Sequence, residues 1–216
     1  MPDASEQQRL EQLLSRRAPQ AARALIGCVL VRRRRGRTLE ARIVEAEAYL
    51  GKGDPAAHVY RGPTPRTRPL YGPPGTLYVY FVYGMHHCLN IAVDGPGTPG
   101  CVLIRAAEPL PGSGLPPRAL SGPGRLCRTL GIDTRLSGRH LFEPGAPLTL
   151  REGARPPKLA VTRRIGINVG QRRRLRFCDA ASPSVSATRP AGISSSSGRR
   201  RAKAPRARPT AKRGSR

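Results

Sequence analysis

Two carboxylates and a concentration of tyrosines are the residues of this chain best placed to do chemistry. Glu45 and Glu47 stand two residues apart in a β-type run, Thr38 to Tyr49, so alternation along a strand turns both toward one face. Such a pair could supply a general base and a supporting acid; taken alone, the spacing is more plainly explained by a solvated strand end. Their company shifts the balance. Tyr49 follows at once, His58 lies in the next loop, and Tyr78, Tyr80 and Tyr83 place three of the six tyrosines within six residues. Strands favour aromatic residues and half of these rings belong to a core. A ring at the strand end, just before Gly84, is nevertheless placed to project outward. In a basic protein such rings suit stacking on bases, worth about 1–3 kcal/mol each.

The elements around them read as a mixed domain. Residues 5–26 are helical, with Ser5 a candidate N-cap and Pro19 dividing the stretch into two helices. Cys28 to Val31 and Thr38 to Tyr49 form a hairpin across the charged turn Arg32 to Arg37. Residues 51–75 hold five glycines and six prolines, too irregular for an element and long enough to be a functional loop. Thr76 to Tyr83 is the strongest strand, followed by His87 to Val93 and Cys101 to Ala107 across the turn Asp94 to Gly100. A short helix, Arg125 to Leu130, follows Gly122, and its N-terminal amides could hold a phosphate. Leu148 to Leu150, Arg164 to Ile167 and Leu175 to Cys178 are expected to close the sheet. Connections too short for parallel crossovers predict an α+β fold, a single mixed domain with a curved, largely antiparallel sheet flanked by short helices.

Composition narrows the partner. The 216 residues suffice for one domain, and 39 Lys and Arg against 13 Asp and Glu point to a polyanion. Arg, Ala, Gly and Pro are all enriched, as GC-rich coding also produces, so the arginine bias by itself carries little weight. Residues 188–216 hold ten of the basic residues, no acid and the run Ser194 to Ser197; 181–216 accordingly reads as a disordered basic tail. Residues 1–17 read as a polar helical extension and 18–180 as the domain, and the chain before the tail still carries 29 basic against 13 acidic residues. No apolar run approaches the roughly 20 residues that span a bilayer, and the polar N-terminus does not read as a signal peptide. Five dispersed cysteines without a CxxC argue against a disulfide framework or zinc finger and suggest the reducing cytoplasm. His86, His87 and Cys88 are adjacent and diverge, so neither metal nor cofactor is expected.

Arg42 to His58 (RIVEAEAYLGKGDPAAH), Pro74 to Asn90 (PGTLYVYFVYGMHHCLN), Cys101 to Leu110 (CVLIRAAEPL) and Gly122 to Gly131 (GPGRLCRTLG) together resemble the alkyladenine, or 3-methyladenine, DNA glycosylase family. Several blocks in the family's order, across most of residues 18–178, are far more specific than any one of them. The resemblance implies a monofunctional glycosylase, a monomer in a bacterial cytoplasm held to the nucleoid through DNA, that flips an alkylated purine from double-stranded DNA and hydrolyses its bond to the sugar. By that resemblance Glu47 is the general base and Arg105 an arginine near the water that keeps Glu47 ionised. Tyr49, His58 and Tyr80 hold the flipped base, Asn90 excludes guanine, and Tyr83 fills the gap left in the duplex. No lysine falls at a pocket position, so no Schiff-base lyase step is expected.

Three features depart from that picture, and two other readings compete with it. Cys178 and Asp179 stand where the family continues with an aromatic or basic residue, which predicts a poorly formed last strand. The Arg32 to Gly36 turn is more basic than a hairpin requires and is either a DNA contact or merely solvated. Arg105 could instead form a surface salt bridge with Glu108. A non-enzymatic Arg-rich nucleic-acid-binding protein would explain the charge but not the acids beside the tyrosines, and a helix-hairpin-helix glycosylase, suggested by Ser121 to Gly124, would require a mainly helical chain.

Overall fold

The computed structural model describes residues 2–95 and 98–186. Most of the tail expected from residue 181, and the centre of the Asp94 to Gly100 turn, lie outside the described residues. Two helices open the chain. Asp3, rather than Ser5, caps α1 (Ala4–Leu14), its Oδ1 accepting from the Glu6 amide at 2.8 Å; the Ser5 hydroxyl donates to that same oxygen instead. Pro19 sits in the first turn of α2 (Ala18–Leu25), where its missing N–H costs nothing, so the break falls ahead of it. Leu10, Leu14, Ala18, Ala21, Ala22 and Leu25 are buried against the sheet.

Eight strands follow: β1 (Val29–Arg34), β2 (Arg37–Tyr49), β3 (Leu77–Val82), β4 (His86–Val93), β5 (Gly100–Pro109), β6 (Leu148–Arg151), β7 (Leu159–Thr162) and β8 (Arg176–Asp179), with α3 (Pro123–Leu130) between β5 and β6. The main path runs β3-β4-β5-β2-β1-β6, and β8 joins β2 to β7. Each of the pairings among these strands is antiparallel, and the sheet is curled within a single α+β domain. Among the described residues, three short α-helices beside eight strands exclude the mainly helical alternative.

Alternation of side chains divides the sheet. Leu77, Val79, Leu89, Ile91, Val102, Ile104, Ala46 and Ala48 join the core shared with the helices. The intervening residues face the other way, where Tyr78, Ala92 and Cys101 bury Ala57, Val59 and Leu70 of the 51–75 loop in a second cluster. That loop is therefore held by a small core of its own and forms a wall over the sheet.

Three sequence expectations are corrected. Arg164 to Ile167 is not a strand: the Ile165 amide donates to the Glu47 carboxylate, not to a ladder, and β7 ends before it. The last strand is well formed, with Arg176, Phe177 and Cys178 paired to Glu47, Ala46 and Glu45; Cys178 is simply buried there. Of the Arg32 to Gly36 turn, residues Arg33 to Gly36 are exposed, but Arg32 is not a solvated turn residue. It is buried and donates to the carbonyls of Leu130, Gly131, Arg33 and Pro147, closing the C-terminal end of α3.

Candidate active site

The face opposite the helices carries a cleft of about 540 Å³ whose lining includes Tyr49, His58, Tyr80, Tyr83, Asn90 and Arg105. Four strands supply it: β2 gives Tyr49, β3 gives Tyr80, β4 gives Asn90, β5 gives Arg105. His58 comes from the 51–75 loop and Pro123 and Gly124 from the start of α3. Glu47 alone of the expected residues is not on the lining. Its side chain is 0% exposed and hydrogen-bonds to residues that are: the Tyr49 hydroxyl donates to Oε2 at 3.0 Å and the Ile165 amide to Oε1 at 2.8 Å, while Arg105 Nη1 lies 3.4 Å from Oε1.

Irregular pairing aims Arg105 at both acids. Ile43 pairs with Ala107, Glu45 with Ala106 and Ala46 with Ile104, so Val44 and then Arg105 drop out of register. Bulges of this kind redirect side chains beside active sites. Arg105 Nε donates to Glu45 Oε1 at 2.8 Å, placing Glu45 and Glu47 on one side of β2. Glu108 does not compete for Arg105; it pairs with Arg42. Glu45 also accepts from Arg176 Nε at 2.7 Å and from the amide and hydroxyl of Ser186 at 2.7 and 2.9 Å.

These surroundings separate the two carboxyls. Burial pushes Glu45 up, but Arg105, Arg176 and Ser186 together outweigh it and hold the group below the ordinary glutamate value. For Glu47 burial prevails: its pKa is raised despite Arg105, the Ile165 amide and Tyr49, and Glu45 adds to the rise. Burial and the neighbouring Glu47 push the Tyr49 phenol up, keeping it a donor. Divergent neighbours of this kind mark acid–base sites.

Around the opening, His58 Nδ1 lies 2.9 Å from the Tyr78 hydroxyl and its ring meets that of Tyr80 edge-on at 4.5 Å. Burial, then Arg66, lower the His58 pKa, favouring a neutral ring at pH 7. Arg66 itself stands over Tyr80, 5.3 Å from the ring centre. Asn90 Nδ2 donates to the Tyr78 carbonyl at 3.1 Å, which fixes the side chain. At the β3–β4 turn Tyr83 is 79% exposed, flanked by Phe81 at 50% and Met85 at 66%; Tyr83 and Gly84 both take positive φ, 53° and 65°.

The sequence did not single out Asp54, Arg164, Ile165, Arg176 or Ser186 as site residues, and it marked Tyr78 only as one of the clustered tyrosines. Asp54 and Arg164 form an ion pair, with both side chains 0% exposed. Arg164 falls in none of the blocks that carry the resemblance, and Asp54, though inside Arg42 to His58, stood out only as an acid in a glycine-rich loop.

The cleft is thus lined by aromatic rings, with a buried carboxylate hydrogen-bonded to its rim through Tyr49, features of a site for a flat, ring-bearing group. Residues 12–183 match the sequence profile of the methylpurine-DNA glycosylases. A protein of Myxococcus xanthus is 45% identical over 161 residues, covering 73% of this chain and 81% of its own length. One of Synechococcus elongatus is 47% identical over 176 residues (81% and 88%), and one of Methanocella arvoryzae is 40% identical over 187 (81% and 93%). Each bears the name "Putative 3-methyladenine DNA glycosylase". The chain belongs to the methylpurine-DNA glycosylase family and is thus a DNA glycosylase, a hydrolase of N-glycosyl bonds with DNA as its substrate. Among the described residues no helix is long and apolar enough to cross a membrane.

Proposed function

We propose that this protein excises alkylated purines, 3-methyladenine among them, from double-stranded DNA as a monomeric, monofunctional glycosylase that begins base excision repair. The observation that carries the reading is the Tyr49 hydroxyl bonded to Glu47 from within an aromatic-lined cleft. Flipping delivers the nucleotide to that cleft at a cost of a few kcal/mol, and the exposed Tyr83 is suited to occupy the vacancy in the stack. Tyr49, His58 and Tyr80 then enclose the purine. Their electron-rich faces attract a cationic base, and a neutral His58 adds no repulsion. Asn90, held by the Tyr78 carbonyl, presents a fixed group against which guanine's exocyclic amine is excluded.

The C1′–N bond breaks with its electron pair leaving on the base; a cationic alkylpurine departs neutral and needs no proton. Water attacks C1′ and gives its proton to Glu47, leaving an abasic sugar and a free base. A carboxylate has about four acceptor positions, and Glu47 uses two in hydrogen bonds and a third in the longer Arg105 contact, which leaves Oε2 a lone pair for water. Its negative charge also stabilises the oxocarbenium-like sugar. Arg105 opposes the loss of that charge.

Alkylated duplex incubated with Glu47→Gln tests the assignment. The variant is expected to bind the damaged duplex and release no free base, a loss of at least a hundredfold; release at the wild-type rate would remove Glu47 from its role.

A further inference from the structure

We propose that Arg164, locked by Asp54, is the positioning residue that sets Tyr49 and Glu47 relative to one another. The inference rests on the reading of Glu47 as the base. Arg164 Nη1 donates to Asp54 Oδ2 at 2.5 Å and Nη2 to Oδ1 at 2.8 Å, a two-pronged contact that fixes the guanidinium plane. From that plane three links reach the end of β2. Nη1 also donates to the Ala48 carbonyl at 3.0 Å, between the two residues that matter. The guanidinium carbon stands over the Tyr49 ring, 4.5 Å from its centre. The next residue along, Ile165, supplies the amide that holds Glu47 Oε1. Residues 164 and 165 thus clasp residues 47–49 at a carboxylate, a carbonyl and a ring, while Asp54 anchors the clasp to the loop that continues to His58.

Stability alone gives no reason for this arrangement. A charge pair with no solvent contact is often replaceable by apolar residues without loss, and Arg164 Nε is buried with no hydrogen-bond partner. The fork has been placed for Asp54, Ala48 and the Tyr49 ring at the expense of its fifth donor. Arg164 does not line the cleft, whereas Tyr49 and Ile165 do, so it touches no substrate and acts only through them. A tilt of the Tyr49 ring would move both the surface on which the base stacks and the hydroxyl on Glu47, and small misplacements of reacting groups lower rates far more than affinities.

Removing one partner alone would strand a buried charge, so the test uses the double variant Asp54→Asn/Arg164→Gln, which removes both charges together and leaves polar side chains at both positions, and Arg164→Lys, which keeps the charge without the fork. Single-turnover base release from alkylated duplex, affinity for that duplex and the melting curve are measured for each beside Glu47→Gln. The expected result is a melting temperature near wild type, affinity within about threefold, and release slowed at least tenfold in the double variant, with Arg164→Lys recovering little of it. Release at the wild-type rate, or rate and affinity falling in step, would overturn the proposal. If Glu47→Gln still released base, the assignment of the base itself would fall, whatever the Arg164 variants did.

Discussion

On the proposed mechanism, Arg105 is expected to set the pH range over which Glu47 acts. Burial raises the Glu47 pKa and Arg105 is the largest of the influences that lower it. With Glu47 as the proposed base, which works only when ionised, activity is expected to fall as the pH drops through its raised folded-state value, placing the acid limb of the rate profile above that of an ordinary glutamate. Arg105→Gln removes the opposing charge; the limb should move to higher pH, with a lower rate at pH 7. A limb that stayed in place would show that another group controls it. Glu45 would keep Arg176 and Ser186 in that variant, so the loss falls mainly on Glu47. At the other end of the cleft, Tyr83 holds a left-handed backbone that costs an ordinary residue about 1–2 kcal/mol. Glycine takes that conformation freely. Tyr83→Gly should melt at or above the wild-type temperature yet excise more slowly from duplex than from single strands, and an equal loss on both substrates would count against a role in filling the stack.

At the scale of elements, the segment after β8 belongs to the site's support. Ser186 donates twice to Glu45, Ser182 to Glu108, and the fully buried Ser184 to the Pro117 carbonyl. A chain ended after residue 181 loses all of these and leaves Glu45 with two arginines and no Ser186. It should melt several degrees lower and lose most of its excision rate, whereas a chain ended after residue 190 should keep both; equal activity of the two would show that residues 182–190 are dispensable. Nothing in the composition of 181–186 distinguished this support from the basic run that follows, which is why the sequence placed the tail's start at 181. The strands were legible where alternation was strict: Tyr78, Tyr80 and Asn90 point to the cleft because Leu77, Val79, Leu89 and Ile91 point to the core. Alternation said nothing of 164–167, whose apolar residues looked like a strand while the Ile165 amide and the Arg164 side chain were committed to Glu47, Ala48 and Asp54. Pairs that meet only through tertiary structure leave no local pattern.

For the whole molecule, charge and site make separate contributions to work on DNA. The cleft, its acids and the Arg164 clasp all lie within residues 45–186, whereas nine of the chain's 39 basic residues come after residue 190. Each phosphate neutralised releases counterions and adds about 0.9 to the slope of log affinity against log salt. If the tail engages the duplex backbone, ending the chain after residue 190 should flatten that slope by as much as about 8 and weaken binding at low salt. Excision at saturating DNA should hold its rate, because every residue that meets Glu47 remains. Binding measured between 50 and 200 mM salt, beside single-turnover release, separates the two contributions. An unchanged slope would mean that the tail makes no phosphate contact and that the 30 earlier basic residues carry the attraction alone; a slower chemical step at saturation would mean that the tail reaches into the site.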